Sequence, residues 1–140
     1  MNATATDWLA LIEQLPADAE VKLRNVSWDE YEELLEQVGE ASALRISYDE
    51  GTLAIITLSL EHENDVRFFE KLMTVISLRL RLNIRSFGSA TLRRRRKEKG
   101  NEPDACFYVQ STPLIGNCND LNFTKDPPPD IAVEVDVHHG

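Results

Sequence analysis

Apolar residues recur at helical spacing in three stretches of the chain. The first is short and follows Asp7, a residue type that caps helices. The second follows Ser27, has Glu30 in place to complete a capping box, and ends before Gly39. In the third and longest stretch, from about residue 59 to 82, apolar residues three and four apart predict the main helix, packed on a sheet.

Shorter apolar runs predict strands. Residues 44–48 and 52–58 are separated by an Asp-Glu-Gly turn, which predicts a hairpin. Residues 84–87 and 89–92 are predicted to be extended. Together, the helices and strands predict one α/β domain with a mixed central sheet flanked by helices.

Two further strands are built alike, because a proline and an aspartate lead into each of them. Asp104 precedes residues 105–109, and Asp130 precedes residues 131–137. Proline lacks an amide donor, so it marks the entry to a strand and leaves the aspartate at the strand end. The second run also carries Glu134 among apolar residues, where an unpaired carboxylate is costly.

The function of these strands depends on which group offsets the negative charge of Glu134. Side chains alternate along a strand at about 3.3 Å per residue, so Asp130, Glu134 and Asp136 share a face, with Asp130 roughly 13 Å from Glu134. That distance is too long for one shared metal, whereas Asp104 on a neighbouring strand is the natural partner. One hypothesis is a divalent metal shared by Asp104 and Glu134. The other is that Glu134 pairs with a buried Arg or Lys and that Pro-Asp is only a turn signal.

Length and composition are typical of a single globular domain. The 140 residues fit one domain, and 42% of them are hydrophobic. No apolar run approaches the roughly 20 residues of a membrane span, and the start of the chain does not resemble a signal peptide. We therefore expect a cytoplasmic protein without a membrane segment. Cys106 and Cys118 are too few for a disulfide framework, so we expect free thiols.

The charge is unevenly distributed. A formal net charge of -9 argues against broad, non-specific binding of nucleic acid. A basic run nevertheless stands in the middle of the chain, and it either contacts phosphates beside the acidic site or forms a solvated hairpin tip. The run consists of Arg93, Arg94, Arg95, Arg96 and Lys97.

Further polar residues are candidates for a supplementary role at the site. Glu61 and His62, followed by Glu63, fall in the first turn of the longest helix, where acids stabilise the helix dipole without any catalytic role. They would contact a metal or substrate only if this helix start faces Asp104. The other supplementary candidates are Glu102, Asp130 and Asp136.

Six short motifs occur in a fixed order along the chain. They are residues 26–31 (VSWDEY), 48–53 (YDEGTL), 61–63 (EHE), 84–89 (IRSFGS), 102–108 (EPDACFY) and 126–136 (DPPPDIAVEVD). Together they resemble the Uma-two family of restriction-endonuclease-like proteins, a branch of the PD-(D/E)XK nuclease superfamily. The resemblance covers about residues 26–137 of a single domain spanning residues 1–140, with residues 1–25 as an N-terminal extension.

The resemblance implies a restriction-endonuclease-like core, with Asp104 and Glu134 as the catalytic and metal-binding residues. It also implies a hydrolase that cuts DNA phosphodiester bonds with Mg²⁺ or Mn²⁺. The chemistry agrees with the residues, because two converging carboxylates can hold Mg²⁺ and leave positions open for a phosphate and a water.

Two departures from the family pattern favour an alternative. The superfamily lysine position, two residues after Glu134, is Asp136, and the chain stops where family members usually continue into a helix and further strands. A core whose C-terminal part is missing would leave a sheet edge uncovered, which favours a homodimer, a truncated chain or a degenerate gene product. The alternative function is thus a non-catalytic dimerising or nucleic-acid-binding module that retains the nuclease fold.

Overall fold

The computed structural model describes residues 7–39, 43–117, 120–123 and 125–137. The described helices are α1 (Trp8–Glu13), α2 (Trp28–Val38), α3 (Leu60–Leu80) and α4 (Thr112–Ile115). The described strands are β1 (Glu20–Leu23), β2 (Leu44–Asp49), β3 (Thr52–Thr57), β4 (Arg85–Ser86), β5 (Leu92–Arg94), β6 (Lys99–Asn101), β7 (Ala105–Tyr108) and β8 (Ile131–Val133). Cys106 is a buried free thiol, as predicted, whereas Cys118 lies outside the described residues.

The predicted helix ends are confirmed by their caps. Asp7 caps α1 by accepting a hydrogen bond from the amide of Ala10. Ser27 and Glu30 form the predicted capping box of α2, with hydrogen bonds of 3.1 and 2.7 Å between each side chain and the other residue's amide. Gly39 ends this helix with a φ of 60°, a left-handed conformation that glycine adopts without strain.

The described strands form two antiparallel sheets. Five strands pair in the order β1-β3-β2-β6-β5, and three pair in the order β4-β7-β8. The predicted class, a nuclease-like fold of mixed helices and strands, is confirmed as α+β, but the structure divides the strands between two sheets instead of one mixed sheet. The division falls at Pro103, which follows β6. Proline has no amide to extend the ladder, so the chain leaves the first sheet there and continues into β7 of the second.

The final strand is shorter than predicted, because β8 ends at Val133 and not at residue 137. Beyond β8, the amide of Val135 donates to Oδ2 of Asp104 at 2.7 Å, so it does not extend the ladder. The amide of Asp104 in turn donates to the carbonyl oxygen of Val133 at 2.9 Å. Asp104 therefore ties the start of β7 to the segment that follows β8.

One face of the five-stranded sheet packs against α1 and α2. Leu44, Ile46 and Tyr48 alternate along β2 and are buried against the aromatic residues of α2. The rings of Tyr31 and Tyr48 are stacked, with their centroids 4.9 Å apart, and Trp28 packs edge-on against both. This cluster fixes α2 over the sheet.

The residues between these core positions point to the opposite face of the same sheet. On β2 they are Arg45, Ser47 and Asp49. The antiparallel register pairs Arg45 with Ile56 of β3 and Ser47 with Ala54. This second face lines the two cavities that carry the candidate chemistry.

The second sheet has its own apolar cluster, formed with α3. Val66 and Met73 of α3 pack with Ala105 and Phe107 of β7. Phe69 contributes a ring whose centroid lies 6.1 Å from that of Phe107. This packing brings the first turn of α3 to the junction between the two sheets.

Candidate active site

Asp104 lies at the junction of the two sheets and is almost completely buried, with 3% of its surface exposed. Oδ1 accepts a hydrogen bond from Nε of Arg45 at 3.0 Å. Oδ2 accepts from the amide of Val135 at 2.7 Å and lies 3.1 Å from Nε2 of His62. Both carboxylate oxygens of the strand-entry aspartate are thus engaged by other groups of the chain.

Arg45 is the buried cation of the site. Its side chain is 8% exposed, and it forms ion pairs with Asp104 at 3.0 Å and with Glu63 at 3.5 Å. Its guanidinium also donates to the carbonyl oxygen of Leu44 at 2.8 Å. The sequence alternative was a buried Arg or Lys paired with Glu134, whereas the ion pairs of Arg45 are with Asp104 and Glu63, and Arg45 itself was not predicted. In sequence it occupies an ordinary outward position of an alternating strand, so no local signal marks it.

His62 joins this group from the first turn of α3, as the supplementary hypothesis requires. Ser59 caps the helix by accepting from the amide of His62, and Nε2 of the imidazole lies 3.1 Å from Oδ2 of Asp104. Nδ1 is buried without a hydrogen-bond partner among the described residues. Glu61 is exposed and does not line the cavity around Asp104.

Glu134, which follows β8, and Asp104, which precedes β7, line one cavity of about 320 Å³. Arg45, His62 and Asp136 line the same cavity. Partial burial raises the pKa of the Glu134 carboxyl, and the negative charge of Asp104 raises it further. Two carboxylates are therefore held close enough to repel each other at the sheet junction.

Glu102 has a structural position. Its carboxylate accepts from the amide of Ile46 at 3.1 Å and from the hydroxyl of Thr91 at 2.9 Å. Burial raises the pKa of this carboxyl. Glu102 thus ties β2 to the segment that precedes β5, and it does not line the cavity around Asp104.

Asp130 also has a structural position, at the opposite end of β8 from Glu134. It accepts from the amides of Val109 and Ser111 at 2.7 and 2.9 Å and from the hydroxyl of Ser111 at 2.7 Å. These bonds lower the pKa of the Asp130 carboxyl. The carboxylate therefore holds the turn that follows β7.

We expect Asp130→Asn to weaken the dependence of stability on acid pH. Because the folded-state pKa of Asp130 is lowered, its carboxylate stabilises the fold above the unfolded-state pKa of about 3.9, and this stability is lost as pH falls through the folded value. Urea unfolding at neutral and acid pH measures the difference. The exposed Asp65→Asn of α3 controls for the loss of one charge, and equal pH dependence in D130N and the parent would contradict the assignment.

The basic run lies in the β5-β6 hairpin, and its side chains have different surroundings. Arg93 is 3.7 Å from Glu32 of α2, and Arg95 forms ion pairs of 3.1 Å with Asp29 and 3.6 Å with Glu32. Arg93, Arg94 and Lys97 line a groove on the open face of the sheet. The remaining member, Arg96, is exposed.

Among the described residues, no group of three or more His, Cys, Asp or Glu side chains is arranged to hold a metal ion. The acidic cavity thus offers a pair of carboxylates, Asp104 and Glu134, with Asp136 along the same wall. Within the described ranges, the helices are too short or too polar to cross a membrane.

These features define an α+β protein of nuclease-like fold with an acidic pair at the junction of its sheets. The Uma2 family, described as "Putative restriction endonuclease", matches residues 28–139. The chain belongs to this family. No curated protein and no solved structure matches the chain significantly.

Proposed function

We propose that the chain is a hydrolase that cuts DNA phosphodiester bonds with Mg²⁺ or Mn²⁺, and that Asp104 and Glu134 are its catalytic and metal-binding residues. The observation that carries the proposal is their shared cavity, in which burial, and after it the charge of Asp104, raises the pKa of Glu134. Like charges held together are typical of sites that act on a substrate or bind a cation. Membership of a restriction-endonuclease family supports the same chemistry.

The residues present fit a hard divalent cation. Mg²⁺ is usually held by one or two carboxylates and completes its shell with water and substrate phosphate oxygens, so a cluster of three protein ligands is not required. Asp104 and Glu134 would hold the ion, and a cation would relieve the repulsion between them. When bound, it would polarise the phosphate and lower the pKa of an attacking water.

The neighbouring side chains have defined tasks in this proposal. Arg45 and His62 fix the orientation of Asp104 through bonds of 3.0 and 3.1 Å. Arg45 also places a permanent positive charge beside the cavity, where the superfamily lysine is replaced by Asp136. A positive charge close to a phosphate stabilises the negative charge that develops during hydrolysis.

Nicking of supercoiled plasmid tests the proposal. We expect conversion to open circles with Mg²⁺ or Mn²⁺ and no conversion with a chelator, because the acidic pair alone would repel the phosphate. The chelated reaction also controls for a co-purifying nuclease that needs no metal. An intact plasmid after long incubation with excess protein and either metal would overturn the proposed activity.

A specific observation favours the alternative, a non-catalytic module that retains the fold. Both oxygens of Asp104 already accept hydrogen bonds from groups of the chain, including the buried Arg45. In this alternative, Asp104 and Arg45 form an ion pair with a structural role only. Asp136, at the position of the superfamily lysine, marks the loss of the catalytic lysine. Calorimetric titration with Mg²⁺ and Mn²⁺ separates the two functions, because the module would bind neither ion at the acidic cavity.

We also propose that the chain forms a homodimer through α3. Large apolar side chains are exposed on one side of this helix, with Phe68, Leu72 and Val75 spaced four and three apart. Such a contiguous apolar stripe typically marks a protein interface.

The expected result is a mass about twice the 15.9 kDa of the chain in light scattering. The double substitution Phe68→Glu and Val75→Glu should yield a monomer, because it places charges in the apolar stripe. Leu114→Glu on α4, where the side chain is 72% exposed, is the matched control and should leave the mass unchanged. A parent protein that stays monomeric at high concentration would contradict the dimer.

A further inference from the structure

A groove of about 620 Å³ crosses the face of the five-stranded sheet that does not pack on α2. Its floor includes Ser47 of β2 and Ala54 of β3, which the register places opposite each other. Lys22 of β1 and Lys99 of β6 extend the same face toward the two sides of the sheet. The groove is therefore formed by several strands of the sheet and does not depend on one loop.

The groove is basic although the whole chain is acidic. Five basic residues line it, in a protein of net charge -9: Lys22, Arg93, Arg94, Lys97 and Lys99. Asp49 is the acidic residue of the lining and pairs with Lys99 at 3.4 Å, and Lys22 pairs with Glu20 at 3.6 Å. Among the described acidic residues, none forms an ion pair with Arg94 or Lys97, whereas Arg95 in the same run is neutralised by α2. A local excess of positive charge on an acidic protein attracts a polyanion to that place alone.

One wall of the groove is apolar. It is formed by Phe123, Pro128 and Pro129 of the segment that precedes β8, and Leu92 of β5 also lines the groove. Basic side chains with an adjoining aromatic ring are the arrangement by which proteins hold single-stranded nucleic acid, because the charges track the phosphates and the ring stacks on a base. A duplex buries the faces of its bases and would leave this wall without a partner.

The groove continues into the acidic cavity. Along β1, Lys22 lines the groove and Glu20 the cavity; along β2, Ser47 lines the groove and Arg45 the cavity. Residues two apart on a strand share a face, so groove and cavity are adjoining parts of one sheet surface. At their boundary, Asn101 lines the groove and lies 3.5 Å from the carboxylate of Glu134 as a hydrogen-bond donor.

We propose that this groove binds a single strand of nucleic acid and leads it to the Asp104 and Glu134 pair. The inference rests on the proposed function for the identity of the polymer, and it adds the strand state and the residues that hold it. Arg94 and Lys97 contact phosphates, and Phe123 stacks on a base. Arg93 also lines the groove, but it pairs with Glu32 of α2, and Arg95 pairs with Asp29, so both hold the hairpin on α2.

Fluorescence anisotropy with a labelled oligothymidylate, in a chelator and without divalent metal, tests the binding separately from cleavage. The groove variant combines Arg94→Gln with Lys97→Gln. Each lost phosphate contact should lower the salt slope of log K by about 0.7 for a single strand, so this variant should lose about 1.4. The matched control combines Arg95→Gln with Arg96→Gln, which removes the same charge from residues that do not line the groove.

A third variant, Phe123→Ala, separates stacking from charge. It should weaken binding by about 5- to 100-fold while the salt slope is unchanged. Circular dichroism confirms that each variant is folded. Retained single-strand binding in a protein that does not nick plasmid would support the groove and overturn only the proposed activity.

Three results would overturn the inference. The first is equal loss of affinity in the groove and control variants, which would show that net charge alone matters. The second is a duplex of the same length that binds more tightly than the single strand. The third is a groove variant that abolishes self-association, since a second copy of the chain would then occupy the groove.

Discussion

Replacing Arg45 by methionine should lower the free energy of unfolding by about 3 to 5 kcal/mol, measured in urea at neutral pH with a chelator present. Methionine fills a similar volume but leaves Asp104 without its 3.0 Å partner in a site where 3% of the aspartate is exposed. Glu63, at 3.5 Å, loses its partner as well. An uncompensated buried charge is among the most costly defects a fold can carry.

A double-mutant cycle separates this ion pair from simple packing. Arg45→Met combined with Asp104→Asn should lose less stability than Arg45→Met alone, because the second substitution removes the stranded charge. Arg94→Met, at an exposed arginine of β5, is the matched control and should change stability by no more than about 0.5 kcal/mol. Losses that simply add in the double variant would contradict the assigned pair.

The parts of the fold that depend on neighbours in sequence could be predicted from the sequence. The capping box of Ser27 and Glu30 and the end of α2 at Gly39 involve residues a few positions apart, so their chemistry is visible in the chain. The pairing of β2 with β3 is equally local, because a short turn joins them. The division into two sheets could not be predicted, because it depends on which strands, distant in sequence, pair with β7.

The candidate site was predictable only in part, for the same reason. Proline before Asp104 marks a strand entry, and an acid within an apolar run marks Glu134, so both carboxylates carry a local signal. Both residues line one cavity, Asp104 just before β7 and Glu134 just after β8. Arg45 carries no such signal, because its burial depends on α3 and on the start of β7, which are far from it in sequence.

The surroundings of the individual residues in the basic run could not be predicted from composition. In the sequence its five members are equivalent, and their sum predicts a positive patch. In the structure, Arg95 is neutralised by acids of α2, while Arg94 faces the groove on the open face of the sheet. Side chains alternate along β5, and a turn follows it, so neighbouring basic side chains point in different directions. The position of α2 then determines which of them are neutralised.

The contacts of Asp104 and Glu134 make Glu134 the better residue for a test of catalysis. Asp104→Asn would disturb the buried pair with Arg45, so lost activity could reflect lost stability. The Glu134 side chain is only partly shielded from solvent, and the side-chain amide of Asn101 donates to it at 3.5 Å. A change at Glu134 therefore reports on chemistry with little effect on packing.

Glu134→Gln should abolish plasmid nicking and lower the affinity for Mg²⁺ or Mn²⁺ by at least about 100-fold, the upper range for loss of a group that only supports a metal ligand. Stability should be unchanged or raised, because glutamine keeps the shape of the side chain and removes the repulsion with Asp104 that raises the pKa of Glu134. Nicking, calorimetric titration of the metal and urea unfolding measure the three quantities on one preparation.

Glu13→Gln, at an exposed residue of α1, is the control for the loss of one carboxylate and should retain full nicking and metal affinity. The raised pKa of Glu134 adds a pH test: metal affinity in the parent should begin to fall at a pH above the ordinary glutamate value of about 4.3, because the proton competes with the ion for the carboxylate. Metal affinity that is the same in E134Q and the parent would place the ion elsewhere. Unchanged nicking in E134Q would remove Glu134 from the catalytic pair.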